Sequence, residues 1–165
     1  MRSFRFAALC LAAAMLAPSI SFAEPKVIFV TRHGEKAKEG KDPDLSAQGQ
    51  ARAQHIGALL RKAGIKQIFS TTTARTQQTA QPLATLTGLA VQSYDGGKPG
   101  AMLEKVKLSP GPSMIVGHSN TVPELVKLLG GGPVPEIADD EFDRLYQVII
   151  GDDGKITTVL LTSSN

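Results

Sequence analysis

Short apolar runs alternate along this chain with stretches of helical periodicity, and glycine, proline or hydroxyl residues stand at most junctions. Val27-Ile28-Phe29-Val30 is the first apolar run. Four consecutive β-formers fit a strand buried on both faces. The run stops at Thr31-Arg32-His33-Gly34-Glu35, where the glycine permits a sharp turn. The polar stretch 36–44, with three lysines, reads as a loop. Ser46 then N-caps a predicted helix carrying Ile56, Leu59, Leu60 and Ala63 on one face, with Gly64 as its stop. A second strand is predicted over 65–70. The hydroxyl-rich segment 71–80 leads from it into a helix that contains Pro82 and ends at Gly88.

A third strand spans 89–94, followed by a turn-rich loop and a short helix around 101–108 whose apolar side is Met102, Leu103, Val106 and Leu108. Ser113-Met114-Ile115-Val116 is a fourth strand, broken at Gly117-His118-Ser119-Asn120. Thr121 to Glu124 has capping-box spacing, and Leu125, Leu128 and Leu129 carry that helix to Gly130. After the acidic stretch 136–143, strands at 145–150 and 156–161 flank Gly151-Asp152-Asp153-Gly154, an antiparallel hairpin. The alternation predicts an α/β fold with a largely parallel sheet, helices on its faces and the antiparallel C-terminal hairpin at one side. There are no internal repeats and no dividing linker, so residues 24–165 form one domain.

The amino terminus adds a compartment. Arg2 and Arg5 precede an apolar run over 6–17, Pro18 breaks it, and Ser21-Phe22-Ala23 suits signal peptidase. Residues 1–23 therefore read as a secretory signal, and the run is short of the ~20 residues that span a bilayer. A periplasmic or secreted mature chain of 142 residues is expected, with no stable membrane insertion. The two lost arginines bring its net charge from +3 to about +1, so the basic pI gives no argument for nucleic-acid binding. The lone cysteine, Cys10, goes with the signal, which removes thiolate chemistry and disulfides from the mature domain.

Ligands of open α/β sheets bind at the carboxyl ends of the strands. Three loops there carry Arg32-His33, Arg75 and Gly117-His118. Two guanidiniums and two imidazoles meeting in one crevice suit a phosphoryl dianion, because arginine forks pair with phosphate oxygens two at a time. With no thiol, serine elbow or carboxylate cluster, the best nucleophile is a neutral imidazole attacking phosphorus in line. Arg75 falls in the first turn of its helix, where a cation opposes the helix dipole unless an anion is recruited. A zinc hydrolase built on His33, Glu35 and His118 is disfavoured because His118 is a lone histidine with no carboxylate beside it, whereas catalytic zinc sites usually gather three protein ligands. No metal and no cofactor are expected.

TRHGE at 31–35, the S-x-x-x-A-R-T-x-x-T-A segment at 70–80 and VGHS at 116–119 together resemble the histidine phosphatase superfamily, the phosphoglycerate mutase-like fold. The Leu45-Ser46-x-x-Gly49-Gln50 helix start is similar too. The resemblance implies a three-layer α/β/α sandwich and a phosphomonoesterase working through a phosphohistidine on His33. Arg32, Arg75 and His118 would then bind the phosphoryl group. Ser119 stands where the family more often has glycine, and its hydroxyl would either contact phosphate or cap the next helix. Asp95 is the nearby candidate for the proton donor that many members place after the third strand, or else a turn-forming aspartate; Glu35 is expected to orient its loop. The chain lacks the long lid insertions of many members, which favours a phosphate on a bulky carrier such as a phosphoprotein or an envelope glycan or lipid, or else an unselective site; a phosphorylated small molecule stays among the candidate substrates. A non-catalytic phosphoanion-binding protein on the same fold is the alternative, and a phosphomutase is disfavoured because it needs a closed pocket.

Overall fold

A computed structural model of the chain describes residues 26–163; the segment read as a signal, with Cys10, lies outside the described residues. The elements are β1 (Lys26–Arg32), α1 (Ala47–Leu60), β2 (Gln67–Ser70), α2 (Ala74–Thr87), β3 (Val91–Ser93), α3 (Gly100–Leu108), β4 (Ser113–Gly117), α4 (Thr121–Leu128), β5 (Arg144–Ile150) and β6 (Ile156–Thr162). They build one six-stranded sheet in the order β3-β2-β4-β1-β5-β6. The pairs β1–β4, β4–β2 and β2–β3 are parallel, while β5 and β6 are antiparallel, so the expected mixed sheet with its hairpin at one side is what forms.

Right-handed crossovers fix the layers. The chain moves from β1 to β2 to β3 in one direction, which puts α1 and α2 on one face, and returns through β4, which puts α3 and α4 on the other. The strands show this in their side chains. Ile28, Val30, Phe69, Ile115, Tyr146 and Val148 pack with Met102, Leu103, Val106, Val122 and Leu125. Their neighbours Phe29, Ile68, Met114, Val116 and Leu145 pack with Ile56, Leu60, Leu83 and Ala84. Alternation across a sheet covered on both sides explains why β1 and β4 read as unbroken apolar runs. No helix among the described residues is long and apolar enough to cross a membrane.

Some local readings change. Leu59, Leu108 and Leu128 are exposed, each in the last turn of its helix. α1 ends at Leu60, and Gly64, at φ +70°, turns the chain four residues later. Thr121 forms no capping box: Asn120 holds the cap position of α4, and the Thr121 hydroxyl accepts from the His118 N–H at 2.9 Å. Ser46 does cap α1, accepting from Gly49 N at 3.1 Å, and Gly88 closes α2 in the left-handed conformation.

The Leu45-Ser46-x-x-Gly49 pattern has a steric origin. The Ser46 N–H donates to the Glu35 carbonyl at 2.8 Å, which draws the first turn of α1 onto the loop after β1. A Cβ on Gly49 would collide with the Glu35 carbonyl oxygen, and one on Gly34 would lie 2.8 Å from the Gly49 carbonyl. Gly49→Ala is expected to destabilise the fold by about 1–3 kcal/mol, read as a lower midpoint in urea, whereas Ala51→Ser in the same helix should shift it little.

Candidate active site

β1 and β4 lie side by side with Arg32 opposite Gly117, and the His33 N–H continues the ladder by donating to the Gly117 carbonyl at 3.0 Å. Pairing of β2 with β4 sets Ser70 opposite Val116 and so brings the start of α2 to the same edge. The three sequence-predicted loops therefore converge. The rings of His33 and His118 meet edge to face, with centroids 5.3 Å apart. Arg75 Nε donates to His33 Nε2 at 3.1 Å, and His118 Nε2 lies 3.4 Å from the Thr73 hydroxyl.

His33 is held as a particular tautomer. Its Nδ1 lies 2.7 Å from the Gly34 carbonyl, an acceptor only, so Nδ1 carries the proton and Nε2 keeps its lone pair. Gly34 is fixed in turn, its N–H donating at 3.0 Å to the Thr79 hydroxyl of α2, which donates at 2.7 Å to the Arg75 carbonyl. Burial pushes the His33 pKa down to about 4; the hydrogen bond to Gly34 opposes this, and the charges of Arg75, His118 and Arg32 add to the lowering. His118 is lowered as well, again by burial first and then by Arg75 and Arg32. The arginines thus contribute to keeping both imidazoles neutral, but desolvation is the larger cause.

Arg32 is buried, with its guanidinium 4.0 Å above the centroid of the Phe142 ring. One end is occupied: Nη1 donates to the carbonyls of Ala138 at 2.7 Å and Glu141 at 2.8 Å. Nε is buried and has no acceptor among the described residues. A buried donor without a partner calls for an explanation, and an oxygen of a bound anion supplies one. Arg75 has its own carboxylate, since Asp42 Oδ1 lies 3.3 Å from Nη1 and Asp42 Oδ2 accepts from the Ala74 N–H at 3.0 Å. The anion required at the amino end of α2 comes from the chain itself.

Comparison with known proteins agrees with this geometry. Residues 28–96 match the family described as the histidine phosphatase superfamily (branch 1). Over that segment the chain carries the pattern of this superfamily. The protein histidine phosphatase SixA, solved with tungstate, is 18% identical with a TM-score of 0.68, over 83% of this chain and 97% of that one. A mycobacterial glucosyl-3-phosphoglycerate phosphatase is 17% identical, TM-score 0.65, over 84% and 98% of the two chains. The phosphoglycerate mutase of Bacillus anthracis str. Sterne is 14% identical, TM-score 0.62, over 84% and 93%. At these identities the similarity establishes the fold. No curated protein sequence matches the chain.

Other residues fall into place around the four. Glu35 is gripped by Arg52, with Nη2 at 2.6 Å and Nε at 3.0 Å; burial pushes its carboxyl up, but the Arg52 hydrogen bonds, a backbone hydrogen bond and the charges of Arg52 and Arg32 together leave it below the usual range. Arg52 also donates to the Ser163 carbonyl at 2.6 Å, so Glu35 ties its loop to the chain's far end. Asp95 is exposed and its Oδ1 accepts from the Gly97 N–H at 2.9 Å, the geometry of a turn-former. Ser119 makes no hydrogen bond among the described residues and does not cap α4. No group of three His, Cys, Asp or Glu among the described residues is arranged to hold a metal ion.

The tautomer and low basicity of His33 are measurable without substrate. In the folded protein its ring nitrogens are expected to stay in the Nδ1–H form down to about pH 4, seen in 15N histidine spectra, while the unfolded chain titrates near 6.5. Between those values the unfolded state binds the extra proton. Folding stability from this group is therefore complete above pH 6.5 and falls as pH drops toward 4.

Proposed function

We propose that the protein is a metal-independent phosphomonoester hydrolase that works through a phosphohistidine on His33. The observation that carries this reading is the state of His33: a neutral ring whose Nδ1 is bound to Gly34, so that Nε2 and its lone pair face the Arg75 guanidinium. A phosphoryl group entering there would take Arg75 from Nε2 and offer its oxygens to Nε of Arg32. Nε2 then attacks phosphorus as the ester oxygen departs, and water attacks the phosphohistidine in a second displacement. The arginine forks hold the equatorial oxygens, where charge is spread in the transition state. His118 completes the wall beside His33, and the free hydroxyl of Ser119 is available to a phosphate oxygen.

The relatives by fold include phosphatases of a phosphorylated protein histidine and of a sugar phosphoglycerate, which supports a phosphorylated substrate without naming it. The amino-terminal signal pattern supports, as part of this reading, a substrate outside the cytoplasm, in the periplasm or beyond. A phosphoprotein or an envelope glycan or lipid phosphate fits a site without long lid insertions; no nucleic acid is implied.

Wild type is expected to release phosphate from nitrophenyl phosphate, unaffected by chelator, and His33→Ala to release none above background. Acid-labile, base-stable label should be trapped on wild type and not on the variant. Anion binding by wild type without turnover would instead identify a phosphoanion-binding protein. Arg75→Lys keeps the charge but loses the fork, and should lower kcat by about 100-fold or more; an effect on KM alone would assign Arg75 to ground-state binding.

A further inference from the structure

Hydrolysis of an alkyl phosphate requires a proton for the departing oxygen, and the carboxylates around this site are unequally free to give one. Glu35 is locked by Arg52, and Glu141 by Arg144 at 2.7 Å; both carboxyls are held below their ordinary range, Glu35, against burial, by the Arg52 and backbone hydrogen bonds with the charges of Arg52 and Arg32, and Glu141 chiefly by its bond to Arg144. Asp95 is committed to the Gly97 N–H. Asp42 differs from these in touching the substrate-binding cation itself. It sits on the tip of the 36–44 loop, whose base is pinned by the Lys36–Leu45 bridge, the Ala37 N–H on the Asp44 carbonyl at 2.8 Å and the Gln78 amide on Asp44 Oδ1 at 2.7 Å. The pinned base aims the tip at α2. There Arg75 bridges nucleophile and carboxylate, with Nε on His33 Nε2 and Nη1 on Asp42 Oδ1.

We infer, resting on the phosphatase reading above, that Asp42 is the proton-transfer residue of the reaction, armed by the arrival of substrate at Arg75. When a phosphoryl group takes the guanidinium, one exchange has two results. Nε2 loses its hydrogen-bond cap and becomes free to attack. Asp42 loses its Arg75 partner and is left beside the bound phosphoryl group, placed to carry from solvent the proton that the leaving oxygen needs. In the first displacement the P–Nε2 bond forms, the bond from phosphorus to the ester oxygen breaks, and the Asp42 proton passes to that oxygen, releasing the alcohol. In the second the oxygen of a water bonds to phosphorus, the P–Nε2 bond breaks, and the water's proton returns to Asp42. Departure of phosphate restores the Arg75–Asp42 pair, and the proton leaves to solvent.

Asp42→Asn tests this, because the amide oxygen can still accept from the Ala74 N–H and so retains the end of α2, but the side chain carries no transferable proton. On glycerol phosphate, whose alkoxide leaves poorly, kcat/KM should fall by about 100-fold or more; on nitrophenyl phosphate, whose leaving group departs as the anion, it should change by less than about fivefold. Equal loss on both substrates, or no loss on either, overturns the assignment. So does finding the split in its place with Asp95→Asn, or with Asp139→Asn at the carboxylate whose charge acts on Arg32. A wild type that hydrolyses neither substrate removes the phosphatase reading and this assignment together, whereas turnover of both by wild type with no split in Asp42→Asn removes the assignment alone.

Discussion

The parallel register of β1 on β4 is the constraint from which the site follows. Arg32 opposite Gly117, with the His33 N–H on the Gly117 carbonyl, puts two polar loops at the same height on adjacent strands. Because both strands are buried on both faces, the register is set by packing: Ile28, Val30 and Ile115 must meet α3 and α4, and Phe29, Met114 and Val116 must meet α1 and α2. A slip of one residue would exchange every one of these side chains between faces and would carry Arg32 and His33 with them. The chemistry at the strand ends is therefore fixed by apolar residues that never touch it.

Within that frame, the site keeps its charges by giving each cation partners of the chain's own. Arg32 holds backbone carbonyls of the 138–141 segment, and Arg75 holds the imidazole of His33 and the carboxylate of Asp42. Leaving such cations unpaired in a crevice would be costly, since a lost partner strands a desolvated charge. In the mechanism proposed above, two of these partners, His33 Nε2 and Asp42, are themselves reacting groups, and substrate binding becomes an exchange of hydrogen-bond partners in which the phosphoryl group takes Arg75 and frees the nucleophile.

The sheet, its layers and the meeting of Arg32, His33, Arg75 and His118 were legible because each rests on a short-range signal: an unbroken apolar run, a turn residue, a helix start. Arg75 even announced its need for an anion by its place in the first turn of α2. Which anion answers was not legible, because Asp42 and Arg75 are joined only through the folded path of the 36–44 loop. Arg52 and Phe142 were missed for a similar reason. Arg52 sits on a helix face whose period marks it as an interior position, yet it is a cation with partners from residues 35 and 163, and Phe142 lies in an acidic stretch with no periodicity at all. Thr121 misled in the opposite sense, since its capping spacing is real but its hydroxyl is spent on the His118 backbone.

The C-terminal section has more to do than extend the sheet. Thr31 donates to the Arg144 carbonyl at 2.9 Å, Arg144 binds Glu141, and the Glu141 and Ala138 carbonyls hold Arg32, so the turn before β5 is a bracket for the first arginine of the site. Past β6, the Ser163 carbonyl holds Arg52 and through it Glu35. The β1 loop is thus steadied from both ends of the hairpin, at 138–144 and at 163. A small domain without long insertions after β1 or β3 needs such support if, as proposed, its arginine forks act on a transition state, because rigid placement is what makes them effective there. Here the hairpin supplies it, and the crevice is left bordered by two short loops, 36–44 and 138–143, of which one carries Asp42 and the other Phe142.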